Sequence, residues 1–320
     1  DFAQIGEVLA EIAGEDSVTF FLKTARDEPA RRAAALWALG EMGRQPAEAQ
    51  RERVIKRLLE NFQEEDYQQE AGMALIQVWE LQILNELRAR QLSVLAEKAE
   101  RLLPEWLDTA MIAIPAGEFL MGDNKKRVHV DAFSIDKYPV THMQYKRFLD
   151  ANPNQRVPYV DEKWAQPYNW DQRARTYPPD KADHPVVLVS WHDAQAYAQW
   201  AGKRLLTKEE WEKAARGTDG RAYPWGDKFD KEKCNTSESG IGGTTPVGIY
   251  SPQGDSPYGC VDMAGNVWEW TASDWSSTST NKVLRGGSWY SYDDYARTAD
   301  RISLVPDSRG IDIGFRCGSG

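Results

Sequence analysis

The chain is 320 residues long, 41% apolar and carries a net charge of −10 at neutral pH, which is enough for two or three domains with real cores. That charge argues against a general binder of nucleic acid or anionic membrane, since phosphate binding needs concentrated lysine and arginine. No apolar run approaches the length of a membrane span.

The chain opens on Asp1-Phe2-Ala3, without an initiator methionine or a signal peptide, so a further effector domain upstream is expected. Residues 1–105 are rich in Ala, Leu, Glu, Arg and Gln, with apolar residues at helical spacing. Ala34, Leu36, Ala38, Leu39 and Met42 make one such stripe, and Val54, Ile55, Leu58 and Leu59 another. Phe20-Phe21, Asp27-Glu28 and Ala33-Ala34-Ala35 are echoed by Leu58-Leu59, Glu65-Asp66 and Ala71-Gly72-Met73, an offset of about 38 residues that suits two-helix solenoid repeats. The stretch from Arg32 to Gly43 resembles the second helix of a HEAT-like repeat. Two readings stay open: a concave partner-binding surface, or a small helical bundle acting as a spacer, because two repeats make a poor solenoid.

From residue 106 the texture changes. Ten of the 13 tryptophans lie beyond Met111, so the packing there is expected to be strongly aromatic. Met111 to Ile114 and Gly117 to Gly122 read as two strands separated by a turn. Thr141-His142-Met143-Gln144, Ser190-Trp191-His192-Asp193 and Thr207-Lys208-Glu209-Glu210 each start a helix with a capping signal. The first runs to about Leu149, the second to Trp200, and the third to Ala215, closed by Gly217. Long loops rich in Gly, Ser, Asp and Trp follow, and such irregular chain calls for metal ions or a dense aromatic core. The cysteines, Cys234, Cys260 and Cys317, are odd in number and widely spaced, which fits free thiols in a reducing, cytoplasmic setting. Four histidines without HxxxH or CxxC spacing offer no His/Cys metal site.

Several motifs stand in one order across about 200 residues. They are Ile114-Pro115-Ala116-Gly117-Glu118-Phe119-Leu120-Met121-Gly122, Tyr138-Pro139-Val140-Thr141, and Gly202-Lys203-Arg204-Leu205-Leu206-Thr207-Lys208-Glu209-Glu210-Trp211. Then come Tyr223-Pro224-Trp225-Gly226, Gly265-Asn266-Val267-Trp268-Glu269-Trp270, Arg285-Gly286-Gly287-Ser288-Trp289 and Gly314-Phe315-Arg316. This pattern resembles the formylglycine-generating-enzyme family. The resemblance implies a C-type-lectin-like domain over 106–320, which with the all-α, HEAT-like segment read over 1–105 makes an α+β chain. That domain is expected to have a small antiparallel sheet, two main helices and much irregular loop.

The family's oxidases bind copper through two cysteines, and their positions here hold Ser291 and Ala296. Neither supplies a thiolate, so copper oxidase chemistry is not expected. A second branch uses iron held by a histidine-rich helical domain; residues 1–128 contain no histidine, so iron is not expected either. The family's calcium sites are different. By position, Asp262 and Glu269 through carboxylates and Gly265 and Val267 through carbonyls would bind one ion, as suits a metal that takes six to eight oxygens. A weaker site would use Asn235, Thr236 and Ile241, with Ser239 where the family has an aspartate.

Between fixed framework residues, the region 285–317 contains Tyr290, Ser291, Tyr292, Asp293, Asp294 and Tyr295, then Asp300, then Ile302, Ser303, Leu304 and Val305, then Ser308, then Gly310, Ile311 and Asp312. These follow no helical or strand period. Each can be reached by changing the adenines of an AAC-type codon. Lys, Gln, Glu, Met and Trp, which such a codon cannot reach, are absent from Tyr290 to Ile313. The segment is similar to the diversified cassette of diversity-generating-retroelement variable proteins. Its Tyr, Ser, Gly and Asp content also suits a paratope. The resemblance implies a non-catalytic receptor-like protein whose variable surface takes a protein or cell-surface ligand. The alternatives are a divergent family enzyme and a plain structural interaction module.

Overall fold

The computed structural model describes part of residues 21–87 and all residues from Arg90 to Gly320. Two compact units are present, Asp1–Trp106 and Leu107–Gly320.

In the first unit, α1 (Glu48–Gln63) and α2 (Gln68–Trp79) are followed by α3 (Ser93–Thr109). Val54, Ile55, Leu58 and Phe62 of α1 are buried, as are Ala71, Ala74, Leu75 and Ile76 of α2. The apolar stripe at Val54, Ile55 and Leu58 is therefore a core face, while Leu59 is half-buried. Much of the repeat reading, including Phe20, Asp27, Glu28, Ala33, Ala34, Glu65, Asp66 and the end of the Arg32 to Gly43 stretch, lies outside the described residues, as do Asp1-Phe2-Ala3.

The second unit mixes helix and sheet. Strands β1 (Met111–Ile114), β4 (Phe133–Asp136), β10 (Cys317–Ser319) and β5 (Arg204–Leu205) form one four-stranded sheet in that spatial order; β2 (Gly117–Met121) and β3 (Lys126–Val130) form a hairpin. A second sheet has the order β8-β7-β6-β9, from β6 (Trp268–Asp274), β7 (Lys282–Arg285), β8 (Arg301–Leu304) and β9 (Ile313–Gly314). The expectation of one small antiparallel sheet is thus corrected. Two four-stranded sheets are present, and β9 runs parallel to β6 because the chain returns through the long loop after β8 rather than through a hairpin.

The three predicted caps are present. Thr141, Ser190 and Thr207 each accept a backbone N–H at the third helical position of α4 (His142–Ala151), α5 (Trp191–Trp200) and α6 (Lys208–Arg216), and Gln144, Asp193 and Glu210 reciprocate. Each pair satisfies two otherwise orphaned donors, which sets the start of each helix. The main core is aromatic: Tyr145, Phe148, Trp170, Tyr197, Trp268, Trp270 and Phe315 pack in one cluster, with Tyr145 stacked on Tyr197 at 5.8 Å between centroids.

Buried charge ties the sheets together. Arg316 meets Glu269 through two hydrogen bonds of 2.7 and 2.8 Å and also donates to the carbonyls of Val261, Asp262, Asp136 and Lys137. Trp211 Nε1 donates to the same carboxylate at 2.7 Å. Nearby, Glu212 accepts from Arg216 at 2.7 Å, from Arg285 at 2.8 Å and from the Gly122 N–H at 2.6 Å. All five guanidinium and carboxylate side chains of these groups have their charges met inside the fold, as burial requires.

Candidate functional site

The segment 285–317 leaves β7 through Gly286 and Gly287 and ends in β10. Gly287, at φ 74°, lets the 295–296 backbone lie against it; a Cβ there would come within 3.0 Å of the Tyr295 carbonyl. A 3-10 turn, Asp293–Ala296, follows.

Buried or half-buried groups hold this backbone. Arg285 donates to the carbonyls of Thr298, Ala299 and Asp300 at 3.5, 2.8 and 3.0 Å. Thr298 donates from its N–H to the Ala222 carbonyl at 2.8 Å and from its hydroxyl to the Arg221 carbonyl at 2.9 Å. Arg309 pairs with Asp193 at 2.6 Å and donates to the Leu188 carbonyl. Trp289 Nε1 donates to the Ile311 carbonyl at 3.2 Å. Two residues outside the segment brace it as well: Ser237 N–H donates to the Ser291 carbonyl, and the Asp293 N–H donates to Glu238.

The predicted variable residues divide into two groups. Tyr290, Tyr292, Tyr295 and Val305 are 74, 66, 46 and 53% exposed, and Asp294 is exposed with them. Asp293, Asp300, Ser303 and Ser308 are half-exposed. The others are half-exposed too, and also make contacts inside the domain. Ile302 and Leu304 pack against the aromatic core, and Ile311 packs against a smaller cluster of Ala165, Val187, Leu188 and Val267. A Cβ on Gly310 would meet Asp312 Oδ1 at 2.8 Å and the Ile313 side chain at 2.9 Å. Ser288 donates to Asp312 at 3.0 Å and lies 2.9 Å from the Ser291 hydroxyl; burial pushes the Asp312 carboxyl up while the Ser288 hydrogen bond pulls it down. These positions therefore differ in how far they reach into solvent, and a codon pattern cannot tell a half-exposed side chain with inward contacts from an outward one.

At the family's oxidase positions, Ser291 is spent on Ser288 and Ala296 is buried. Cys234, Cys260 and Cys317 are free and buried, and burial pushes the first two thiols up to about 12 and about 11.

The two expected calcium sets differ. In the first, burial pushes the Asp262 carboxyl up to about 6, with the charges of Asp255 and Glu269 adding to it and the Gly248 N–H opposing. Glu269 is held by Arg316 and Trp211, but its Oε1 accepts one bond and keeps a lone pair. Arg316 already meets the charge of Glu269, and the Gly265 carbonyl accepts from the Val267 N–H at 2.9 Å, so Asp262 supplies the one carboxylate of this set without an ion-pair partner among the described residues. In the second set the space is taken. The Ser239 hydroxyl sits 2.9 Å from Asn235 Oδ1 and 2.8 Å from the Thr236 carbonyl, and so fills the place between those oxygens. Ile241 is exposed beside it, and the four residues include no carboxylate.

The family model of the Sulfatase-modifying factor enzyme 1-like domain matches residues 99–319. The chain belongs to this family. It is similar to "Inactive C-alpha-formylglycine-generating enzyme 2" of Bos taurus, with 35% identity over 66% of this chain and 88% of the relative. It is also similar to the "Formylglycine-generating enzyme" of Thermomonospora curvata, with 33% identity over 68% of this chain and 95% of the relative. Among solved structures, Treponema denticola variable protein 1 superposes with a TM-score of 0.50 and 20% identity over 65% of this chain and 94% of that one. At that identity the likeness is one of fold, C-type-lectin-like.

Proposed function

We propose that residues 106–320 form a non-catalytic ligand-binding domain, of the kind carried by diversity-generating-retroelement variable proteins. The observation that carries this is the separation of roles within one segment. Tyr290, Tyr292 and Tyr295 stand exposed over a backbone held by Arg285, Thr298, Arg309 and Trp289, so the display can change without removing a support. Tyrosine offers large contact area at small entropic cost. The partner is a protein or cell-surface ligand. Residues 1–105, read as HEAT-like, link the domain to a partner or effector, in the cytoplasm. The enzyme reading draws on the relatives named as formylglycine-generating enzymes and on the Ser291–Ser288–Asp312 chain of hydroxyls and carboxyl. Ser291 has a second hydroxyl, not a base, as its hydrogen-bond partner, which disfavours a nucleophile there.

Single substitutions test the reading. Tyr290→Asn, Tyr292→Asn, Asp294→Asn and Val305→Asn should each move the melting temperature by less than about 2 °C. Ile302→Asn and Ile311→Asn should cost about 1–3 kcal/mol, because each half-buried side chain gives up its packing against an apolar cluster. Large losses at the exposed positions would end the display reading.

Calcium is proposed for the first set only, where Asp262, Glu269 and the Gly265 and Val267 carbonyls would hold the ion and pin the loop before β6. An ion bound only by the folded state stabilises it by about 2.7 kcal/mol at a hundredfold excess over its Kd. Thermal melts in EGTA should therefore run several degrees below melts in calcium, with recovery on re-addition. Identical melts would retire the ion.

A further inference from the structure

We propose that the outer edge of β8 takes an extended, lysine- or arginine-bearing segment of the partner as an added strand. This rests on the display reading above and names how the partner is held. β8 is an edge strand, paired on one side with β7 alone. Two observations fix which backbone groups face outward. The Val283 carbonyl accepts from the Thr271 hydroxyl of β6 at 2.8 Å, so it points away from β8, and Ser303 opposite it is a non-hydrogen-bonded pair. The Arg301 N–H is met by its neighbour's side chain, Asp300 Oδ1, at 2.9 Å and not by β7. Arg301 and Ser303 therefore present their backbone groups outward, and Ile302 and Leu304 make the ladder with Leu284 and Lys282. Outside the strand ladder, no hydrogen bond among the described residues reaches the Ser303 N–H or carbonyl. An open edge of this kind is a template for strand addition, in which the backbone supplies affinity and neighbouring side chains supply selection.

Charge chooses the partner. Asp300 precedes the strand, Asp307 follows it, and Asp293 and Asp294 stand in the preceding turn. Asp293, Asp294 and Asp300 form no ion pair within 4.0 Å among the described residues, and Asp307 has only His192, at 3.8 Å. The cations of the segment are already engaged: Arg297 with Asp123, Arg309 with Asp193, and Arg301 over the Trp275 ring. The carboxylates left over match a basic strand, and exposed Val305 offers an apolar contact at its end.

The test uses the full chain and a fluorescent ten-residue peptide of alternating lysine and valine, read by anisotropy. Binding should occur, and the glutamate–valine peptide should not bind. Methylating alternate backbone nitrogens of the lysine peptide should weaken it at least about tenfold, since charge is kept and ladder donors are lost. Ser303→Pro removes one outward N–H without touching the β7 ladder, as proline is tolerated at solvent-facing edge positions. It should weaken binding at least about tenfold at an unchanged melting temperature. Equal binding by the methylated peptide, no binding at all, or full binding by a folded Ser303→Pro protein would each overturn the proposal. So would a dimer in sedimentation that Ser303→Pro splits, since a second copy would then occupy the edge. Should Tyr290→Ala with Tyr292→Ala abolish binding that Ser303→Pro leaves intact, strand addition fails and the display reading stands; should neither variant affect it, both fail.

Discussion

Replacing Arg316 with leucine is expected to destabilise the C-terminal unit by about 3–5 kcal/mol, a fall in melting temperature on the order of 10 °C for a domain of this size. The reason is the partner left behind. Glu269 is about 1% exposed, and Arg316 supplies two of its three hydrogen bonds, leaving Trp211 alone to meet a buried carboxylate. The loss spreads, because the same guanidinium also holds the carbonyls of Val261, Asp262, Asp136 and Lys137, joining the loop before β6 to the end of β4. Adding Glu269→Leu or Glu269→Gln should restore part of the loss, since an isolated buried charge costs more than an apolar or neutral pair. Thermal melts of the single and double variants check this. A single variant that melts within 2 °C of the parent would mean that the pair contributes nothing to the scaffold.

Much of this architecture was legible in the sequence for local reasons. The capping residues Thr141, Ser190 and Thr207, with an acid or amide three residues on, dictate helix starts through bonds made within four residues, and all three are found. β1 and β2 follow from short apolar runs around the Pro115-Ala116 turn. What stayed hidden depends on distant chain. The parallel β6–β9 pairing joins residues about 45 apart and has no periodic signature in a two-residue strand. Arg285 belongs to the Arg285-Gly286-Gly287-Ser288-Trp289 motif, yet its grip on the 298–300 carbonyls arises only in the folded chain. Glu238 and Ser237 were missed outright: no local feature marks a residue that braces a loop more than fifty positions away. The division of the variable residues was hidden for a related reason. Tyr295 and Ile302 look equally apolar in sequence, and only the fold packs the half-buried Ile302 against the aromatic cluster.

Truncating Tyr290, Tyr292 and Tyr295 together to alanine should separate binding from folding. These rings are mostly in water in the free protein, so their removal gives up little packing; the melting temperature is expected to move by less than about 4 °C. Tyr295 carries most of that cost, through its edge contact with Trp268 at 6.3 Å. In a complex the same rings are desolvated, and an anchoring tyrosine is worth about 2 kcal/mol or more. Affinity through this face should therefore fall at least about a hundredfold, the three contributions being non-additive. A partner can be made for the measurement. Randomising Tyr290, Tyr292, Asp293, Asp294, Tyr295 and Val305 and selecting against a chosen test protein such as lysozyme should yield folded binders. Restoring alanine at their selected aromatic positions supplies the comparison. Folded libraries that never yield a binder would count against a display surface. Binders whose melting temperatures fall in step with their affinity would show that recognition and support share the same side chains, and Arg285, Thr298, Arg309 and Trp289 would then not be sufficient to hold the loop.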